Sequence, residues 1–96
     1  MDVGRIRTRL EGFAEQLTGL GVKSLSLFGS AARGQATEAS DLDFLVEFEG
    51  PATFSRYMGL KELLEGALQT RIDLVTVRAL KPRLRDQILG EAIKVA

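Results

Sequence analysis

The 96-residue sequence contains no cysteine and no histidine. Without cysteine the chain has no disulfide, no zinc–thiolate site and no thiol nucleophile. Without histidine it lacks the commonest general base and the imidazole metal ligand, and a Ser-His-Asp triad is excluded. Any chemistry must therefore depend on carboxylates, Lys, Arg, hydroxyl groups or backbone amides. A metal site would have oxygen ligands, which suit Mg²⁺, Mn²⁺ or Ca²⁺.

Long hydrophobic runs are also missing. No apolar stretch reaches the roughly 18–20 residues that cross a bilayer, and residues 1–5 lack the apolar region of a signal peptide. We therefore expect a cytoplasmic protein without a membrane partner. Hydrophobic residues make up 45% and charged residues 27% of the chain, which are ordinary globular values. The length and composition predict a single domain over residues 1–96.

The charges balance overall but are unevenly distributed. Thirteen basic and thirteen acidic residues give a formal net charge of zero. Residues 1–33 hold five basic and three acidic side chains, residues 34–66 hold two and seven, and residues 67–96 hold six and three. No broad basic surface is implied, so nucleic acid is not an expected partner. The acidic middle third needs an explanation.

The predicted elements alternate between helices and strands. Apolar residues at three- and four-residue steps predict helices, and short β-rich stretches predict strands. The elements are a helix ending near Gly19 or Gly21, strands over 22–28, 42–48 and 71–77, helices over 53–68 and 82–95, and a polar loop over 35–40. The last helix is predicted to carry an apolar stripe: Leu84, Ile88, Leu89, Ala92 and Val95. This order predicts an α/β fold with a small sheet flanked by helices and leaves the strand directions open.

Three aspartates lie at strand positions. Asp41 and Asp43 flank Leu42, and side chains two apart in a strand point to the same face. Asp73 lies in an apolar strand, where a charge is costly unless it is paired or binds a metal. If the second and third strands are neighbours, the three carboxylates form one cluster, which suits one or two Mg²⁺ ions. Taken singly, Asp41 could instead be a turn or cap residue, and Asp73 could pair with an arginine such as Arg71.

A glycine-serine turn precedes the aspartate pair. Gly29 and Ser30 lie between a strand and a short predicted helix, where glycine lets the backbone approach a ligand and helix amides can hold a phosphate. Arg33, one turn later, can face the same anion, and Gly34 permits the next turn. The alternative is an ordinary N-cap at Ser30 with a solvated Arg33. A P-loop is excluded, because its Gly-Lys-Ser/Thr element is missing.

The two features together indicate nucleotidyl transfer. A phosphate-binding turn would hold a nucleoside triphosphate, and carboxylate-bound metal would neutralise its charge. Asp73 could serve as an acidic general base near the acceptor, which would explain a site without histidine. The only tyrosine, Tyr57, is predicted to belong to the core of the second long helix rather than to be a site of self-modification.

The segments Phe28-Gly29-Ser30-Ala31-Ala32-Arg33-Gly34, Ser40-Asp41-Leu42-Asp43 and Ile72-Asp73-Leu74-Val75 resemble the polymerase-beta-type nucleotidyltransferase superfamily. Within it the chain is most similar to the minimal nucleotidyltransferases of prokaryotes, over about residues 20–95. The resemblance implies the nucleotidyltransferase fold. It also implies Mg²⁺, with two ions expected, at Asp41 and Asp43, with Asp73 as third ligand or base, and ATP held by Gly29, Ser30 and Arg33.

The resemblance also implies a partner. Many minimal members are antitoxins paired with a HEPN-domain ribonuclease toxin, and some transfer AMP from ATP to a tyrosine of that toxin. We therefore expect a metal-dependent protein adenylyltransferase whose acceptor comes from a partner protein or is completed by a second copy in a homo-oligomer. Two alternatives stay open: an antitoxin that neutralises by binding alone, and a transferase that acts on a small molecule such as an aminoglycoside.

Overall fold

The structure, a computed structural model, describes residues 2–34 and 41–96, so the loop predicted over 35–40 lies outside the described residues. Its elements are α1 (Val3–Glu11), α2 (Ala14–Gly19), β1 (Val22–Phe28), α3 (Gly29–Ala32), β2 (Leu42–Phe48), α4 (Phe54–Leu68), β3 (Ile72–Thr76), a 3₁₀ turn (Val77–Ala79), α5 (Pro82–Glu91) and β4 (Ile93–Lys94). None of the helices in the described part of the chain is long and apolar enough to cross a membrane.

The strands form one mixed sheet in the order β3-β2-β1-β4. β1 runs antiparallel to both β2 and β4, whereas β2 and β3 are parallel. Parallel neighbours need a crossover connection, and α4 lies between β2 and β3 in the chain. The structure therefore confirms the predicted α/β fold, and it supplies the strand directions that the sequence left open.

The two faces of the sheet differ because side chains alternate along each strand. In β2, Leu42, Phe44, Val46 and Phe48 belong to a hydrophobic core shared with buried residues of α1 and α4. Asp43 and Glu47 alternate with them and are half-buried on the other face. α3 contacts β1 and β2, and α5 contacts α3. The core thus leaves one sheet face available for polar side chains.

Side-chain caps fix the start of α1 and α4. The backbone N–H of Arg5 donates to Asp2 Oδ1 over 2.8 Å at the start of α1, and the N–H of Arg56 donates to Thr53 Oγ1 over 3.2 Å at the start of α4. Such caps satisfy backbone donors that have no partner inside the helix. The predicted start of the second long helix at residue 53 is confirmed with Thr53 as its N-cap.

The prediction of one continuous first helix is wrong. α1 ends at Glu11, and Phe13 has φ −116° and ψ 17°, outside the helical region, before α2 begins. Glycine at position 12 weakens a continuous helix. The break still leaves Leu10 and Leu17 in the core, so the apolar spacing is satisfied by two short helices instead of one.

The last helix also ends earlier than predicted. Ala92 has ψ 139°, which is extended backbone, and the chain continues as β4 beside β1. The N–H of Val95 donates to the Leu25 carbonyl over 2.9 Å, and the Leu25 N–H donates to the Ala96 carbonyl over 3.0 Å. This pairing covers backbone groups that an edge strand would expose. The predicted stripe is therefore divided: Val95 enters the core directly after β4, while Leu84 and Leu89 on α5 are 43% and 45% exposed.

Candidate active site

Asp43 and Asp73 meet at the centre of the site. In the parallel pair of β2 and β3, Asp43 lies directly opposite Asp73. Burial is the main reason that the pKa of Asp43 is raised above its ordinary value of 3.8, and the charge and hydrogen bond of Asp73 raise the pKa further. The predicted convergence of the distant Asp73 with the second strand is thus what the structure shows.

Asp41 lies immediately before β2 and is exposed. Its charge also raises the pKa of Asp43, so it belongs to the same electrostatic cluster. Within residues 2–34 and 41–96, however, no three acidic side chains lie close enough together to hold a metal ion as they stand. Metal ligation by Asp41, Asp43 and Asp73 therefore stays a prediction.

The chemistry of the donors nevertheless fits a hard divalent cation. All three side chains offer carboxylate oxygens, the ligands that Mg²⁺ prefers in proteins. The neighbouring negative charges that disfavour ionisation of Asp43 would be offset by a cation, since a bound metal reverses the local effect on pKa. The site therefore has the composition of a magnesium site.

Gly29 connects the turn to the carboxylates. It has φ +70°, in the left-handed region, and a Cβ at this position would collide with Asp43 Oδ2 and lie 3.2 Å from Asp43 Cγ. Only glycine fits there, because a side chain would meet both the backbone strain and the carboxylate. The sequence predicted that Gly29 admits a ligand to the backbone. In the structure, the group that lies against the Gly29 backbone is the side chain of Asp43.

Ser30 follows Gly29 within α3 and is half-buried. The N-cap of α3 is Phe28, which makes no side-chain hydrogen bond, so the alternative of Ser30 as an ordinary N-cap is not what the structure shows. The structure places Ser30 in the first turn of α3, beside Gly29 and therefore near Asp43. It does not test whether Ser30 binds phosphate.

Arg33 lies at the end of α3 between two acidic groups. Its Nη1 is 3.3 Å from Glu91 Oε2 at the end of α5, and its positive charge acts to lower the pKa of Asp43. Arg33 is therefore not simply solvated: it faces the aspartate cluster and α5 together. The sequence analysis missed Glu91, since no motif or spacing indicates that the last turn of α5 reaches α3.

Tyr57 has the structural role that the sequence predicted. Its hydroxyl donates to the Leu74 carbonyl over 2.6 Å, and its ring packs against the core. The hydroxyl thereby joins α4 to β3 one residue after Asp73. This contact supports the strand that carries the third aspartate.

A profile of the nucleotidyltransferase domain matches residues 7–95. The chain belongs to this nucleotidyltransferase family. Among curated proteins, the protein adenylyltransferase MntA of Thermococcus cleftensis is 40% identical over 75 residues, which cover 78% of this chain and 76% of that protein. A Methanocaldococcus jannaschii protein, named as a candidate protein adenylyltransferase, is 43% identical over 75 residues, covering 78% and 81% of the two chains.

Solved structures agree with this assignment to the nucleotidyltransferases. A structure described as a candidate minimal nucleotidyltransferase superimposes with a TM-score of 0.84 at 46% identity, covering 97% of this chain and 95% of that one. A toxin–antitoxin structure with AMP-PNP has a TM-score of 0.72 at 23% identity and covers 90% and 71% of the two chains. At that lower identity the likeness establishes the fold. The resemblance to minimal nucleotidyltransferases is thus confirmed.

Proposed function

We propose that this nucleotidyltransferase is a magnesium-dependent protein adenylyltransferase that acts as an antitoxin by transferring AMP from ATP to a tyrosine hydroxyl of a HEPN ribonuclease toxin. The observation that carries the proposal is the pairing of Asp43 with Asp73 against the backbone of Gly29. It brings the acidic residues and the turn expected to bind phosphate into one site.

The roles of the residues follow from their placement. Gly29, Ser30 and Arg33 bind the triphosphate, and Arg33 contributes a positive charge that acts to lower the pKa of Asp43. Asp41, Asp43 and Asp73 hold the magnesium. When bound, the metal offsets the negative charge of the phosphates and promotes loss of the acceptor proton. Asp73, which is exposed and lies opposite Asp43 in the sheet, accepts that proton from an arriving hydroxyl.

The reaction is a displacement at the α-phosphorus of ATP. The acceptor oxygen forms a bond to that phosphorus, the bond between the α-phosphorus and the bridging oxygen breaks, and pyrophosphate leaves with its electron pair. Orientation of the two reactants and electrostatic stabilisation supply most of the rate.

The acceptor is assigned from the relatives and from the state of Tyr57. One neighbour is described as a tri-AMPylated Shewanella oneidensis HEPN toxin in complex with an MNT antitoxin, with a TM-score of 0.66 at 19% identity. The hydroxyl of Tyr57, the only tyrosine of this chain, is bonded to the Leu74 carbonyl. An acceptor tyrosine therefore comes from another protein.

The test is transfer of label from α-labelled ATP to a co-purified HEPN protein in the presence of Mg²⁺. We expect a mass increment of one or more AMP units on a tyrosine, lost in the Asp41→Asn/Asp43→Asn variant and retained in Glu62→Gln, an exposed acid on α4. If the double variant neutralises the toxin as well as the wild type does, binding alone explains the antitoxin. Label on an aminoglycoside instead of protein would indicate a small-molecule transferase.

A further inference from the structure

One ion pair in the described chain links the turn of the site to the last helix. Arg33 ends α3, Glu91 ends α5, and their charged atoms are 3.3 Å apart although 58 positions separate them in the sequence. The two side chains are 49% and 28% exposed. An ion pair as exposed as this one adds little to the stability of a fold, because water screens it. We therefore looked for a role of the Arg33–Glu91 ion pair other than stabilising the fold.

The position of Arg33 indicates such a role. The charge of its guanidinium acts on Asp43, and Glu91 contacts the same guanidinium from the end of α5. A guanidinium is planar with five N–H donors, so a single carboxylate can fix its orientation while other donors face elsewhere. With Glu91 in place, one nitrogen of Arg33 is bound to α5, and this contact opposes movement of the guanidinium towards Asp43.

We infer that Glu91 is a positioning residue, whose carboxylate holds the Arg33 guanidinium at the mouth of the site in the orientation that receives the triphosphate of ATP. The inference rests on the proposed function, since it takes ATP as the ligand. Glu91 itself does not touch the nucleotide. It acts through Arg33, and it makes the end of α5 a part of the nucleotide site.

The experiment is equilibrium binding of Mg-ATP by calorimetry, which needs neither a partner nor turnover. We expect Glu91→Ala to raise the dissociation constant roughly fivefold, the size of a coupling between groups in direct contact. Glu91→Gln keeps an oxygen acceptor for Arg33 and should restore most of the affinity. Because Glu91 acts through Arg33, Glu91→Ala should add nothing once Arg33→Ala is present.

A matched control is available at the other end of the sheet. Lys23 and Glu47 form an ion pair of the same 3.3 Å length, with side chains that are 55% and 44% exposed. Glu47→Ala should leave Mg-ATP binding unchanged. Glu91→Ala and Glu47→Ala should also have similar melting temperatures, since neither exposed pair contributes much to stability.

Two results would overturn the inference. One is unchanged or tighter Mg-ATP binding by Glu91→Ala. The other is an effect of Glu91→Ala that is fully retained in the Arg33→Ala background, which would mean that Glu91 acts independently. If instead the proposed function is wrong, the wild-type protein should bind no Mg-ATP, and Arg33→Ala should not alter the binding measurement.

Discussion

Replacing Gly29 with alanine tests the contact on which the site is built. The new Cβ would collide with Asp43 Oδ2 and lie 3.2 Å from Asp43 Cγ and 3.4 Å from Asp43 Cβ. A non-glycine residue in left-handed backbone costs about 1–2 kcal/mol, and an additional group forced into a packed site costs about 1–3 kcal/mol. The free energy of unfolding should therefore fall by roughly 2–5 kcal/mol, and the displaced Asp43 should lose its register with Asp73.

Gly34 provides the matched control. It has φ +71°, almost the same as Gly29, but among residues 2–34 and 41–96 a Cβ there would meet nothing within 4 Å. Gly34→Ala thus carries the backbone cost without the collision, and both variants lose the same entropy in the unfolded chain. Denaturant unfolding should show Gly29→Ala to be less stable than Gly34→Ala by about 1–3 kcal/mol. In a domain of this size that excess lowers the melting temperature by roughly 5–20 °C.

The collision can also be relieved. In an Asp43→Ala background the offending oxygen is gone, so the excess cost of Gly29→Ala over Gly34→Ala should shrink. Equal stabilities of Gly29→Ala and Gly34→Ala in the wild-type background would refute the reasoning, because the Asp43 carboxylate would then not lie against Gly29.

Three further outcomes are expected. The pKa of Asp43 is raised by burial and by Asp73, so the folded state holds the proton of Asp43 more tightly than the unfolded chain does. The stability contributed by Asp43 therefore falls as the pH rises from 3.8 through the higher folded-state pKa. The difference in unfolding free energy between the wild type and Asp43→Asn should decline over that pH range, and a constant difference would contradict the expectation. Tyr57→Phe removes the 2.6 Å hydrogen bond to the Leu74 carbonyl and should lower the free energy of unfolding by about 1 kcal/mol in denaturant. AMP transfer should be retained. Loss of transfer at unchanged stability would mean that the hydroxyl takes part in the reaction. Millimolar Mg-ATP should raise the melting temperature, because a ligand that binds the folded state stabilises it, and chelation of Mg²⁺ should remove the shift. An equal shift with ATP and chelator would show that the nucleotide binds without a metal ion at the aspartates.

The strands were the best-predicted part of the fold. The bounds of β1 and β2 are those predicted, since short β-rich runs end at Gly29 and at Gly50. The third strand, predicted over 71–77, is shorter by one residue at each end, since β3 is Ile72–Thr76 and Val77 begins a 3₁₀ turn. The two larger errors concern helices. The apolar spacing before Gly19 is the same whether the helix continues or breaks at Gly12, and the spacing after Pro82 does not reveal that β1 offers a free edge to residues 93–94.

The site could be predicted only in its parts. The residue types and the two-residue spacing of Asp41 and Asp43 pointed to a carboxylate site. The pairing of Asp43 with Asp73, however, depends on β2 and β3 being parallel neighbours in one particular register, which no local pattern encodes. The contact of Glu91 with Arg33 depends in the same way on how α5 returns to α3. Contacts between distant elements are decided by packing of the whole fold.

We propose that Asp41, Asp43 and Asp73 bind magnesium together beside Gly29 and Ser30. The most direct measurement is a crystal structure of the protein grown with Mg²⁺ and a non-hydrolysable ATP analogue. We expect electron density for a Mg²⁺ ion coordinated by oxygens of all three aspartates, with the triphosphate bound to the Gly29–Ser30 backbone. A triphosphate bound elsewhere, or metal bound without Asp73, would contradict it.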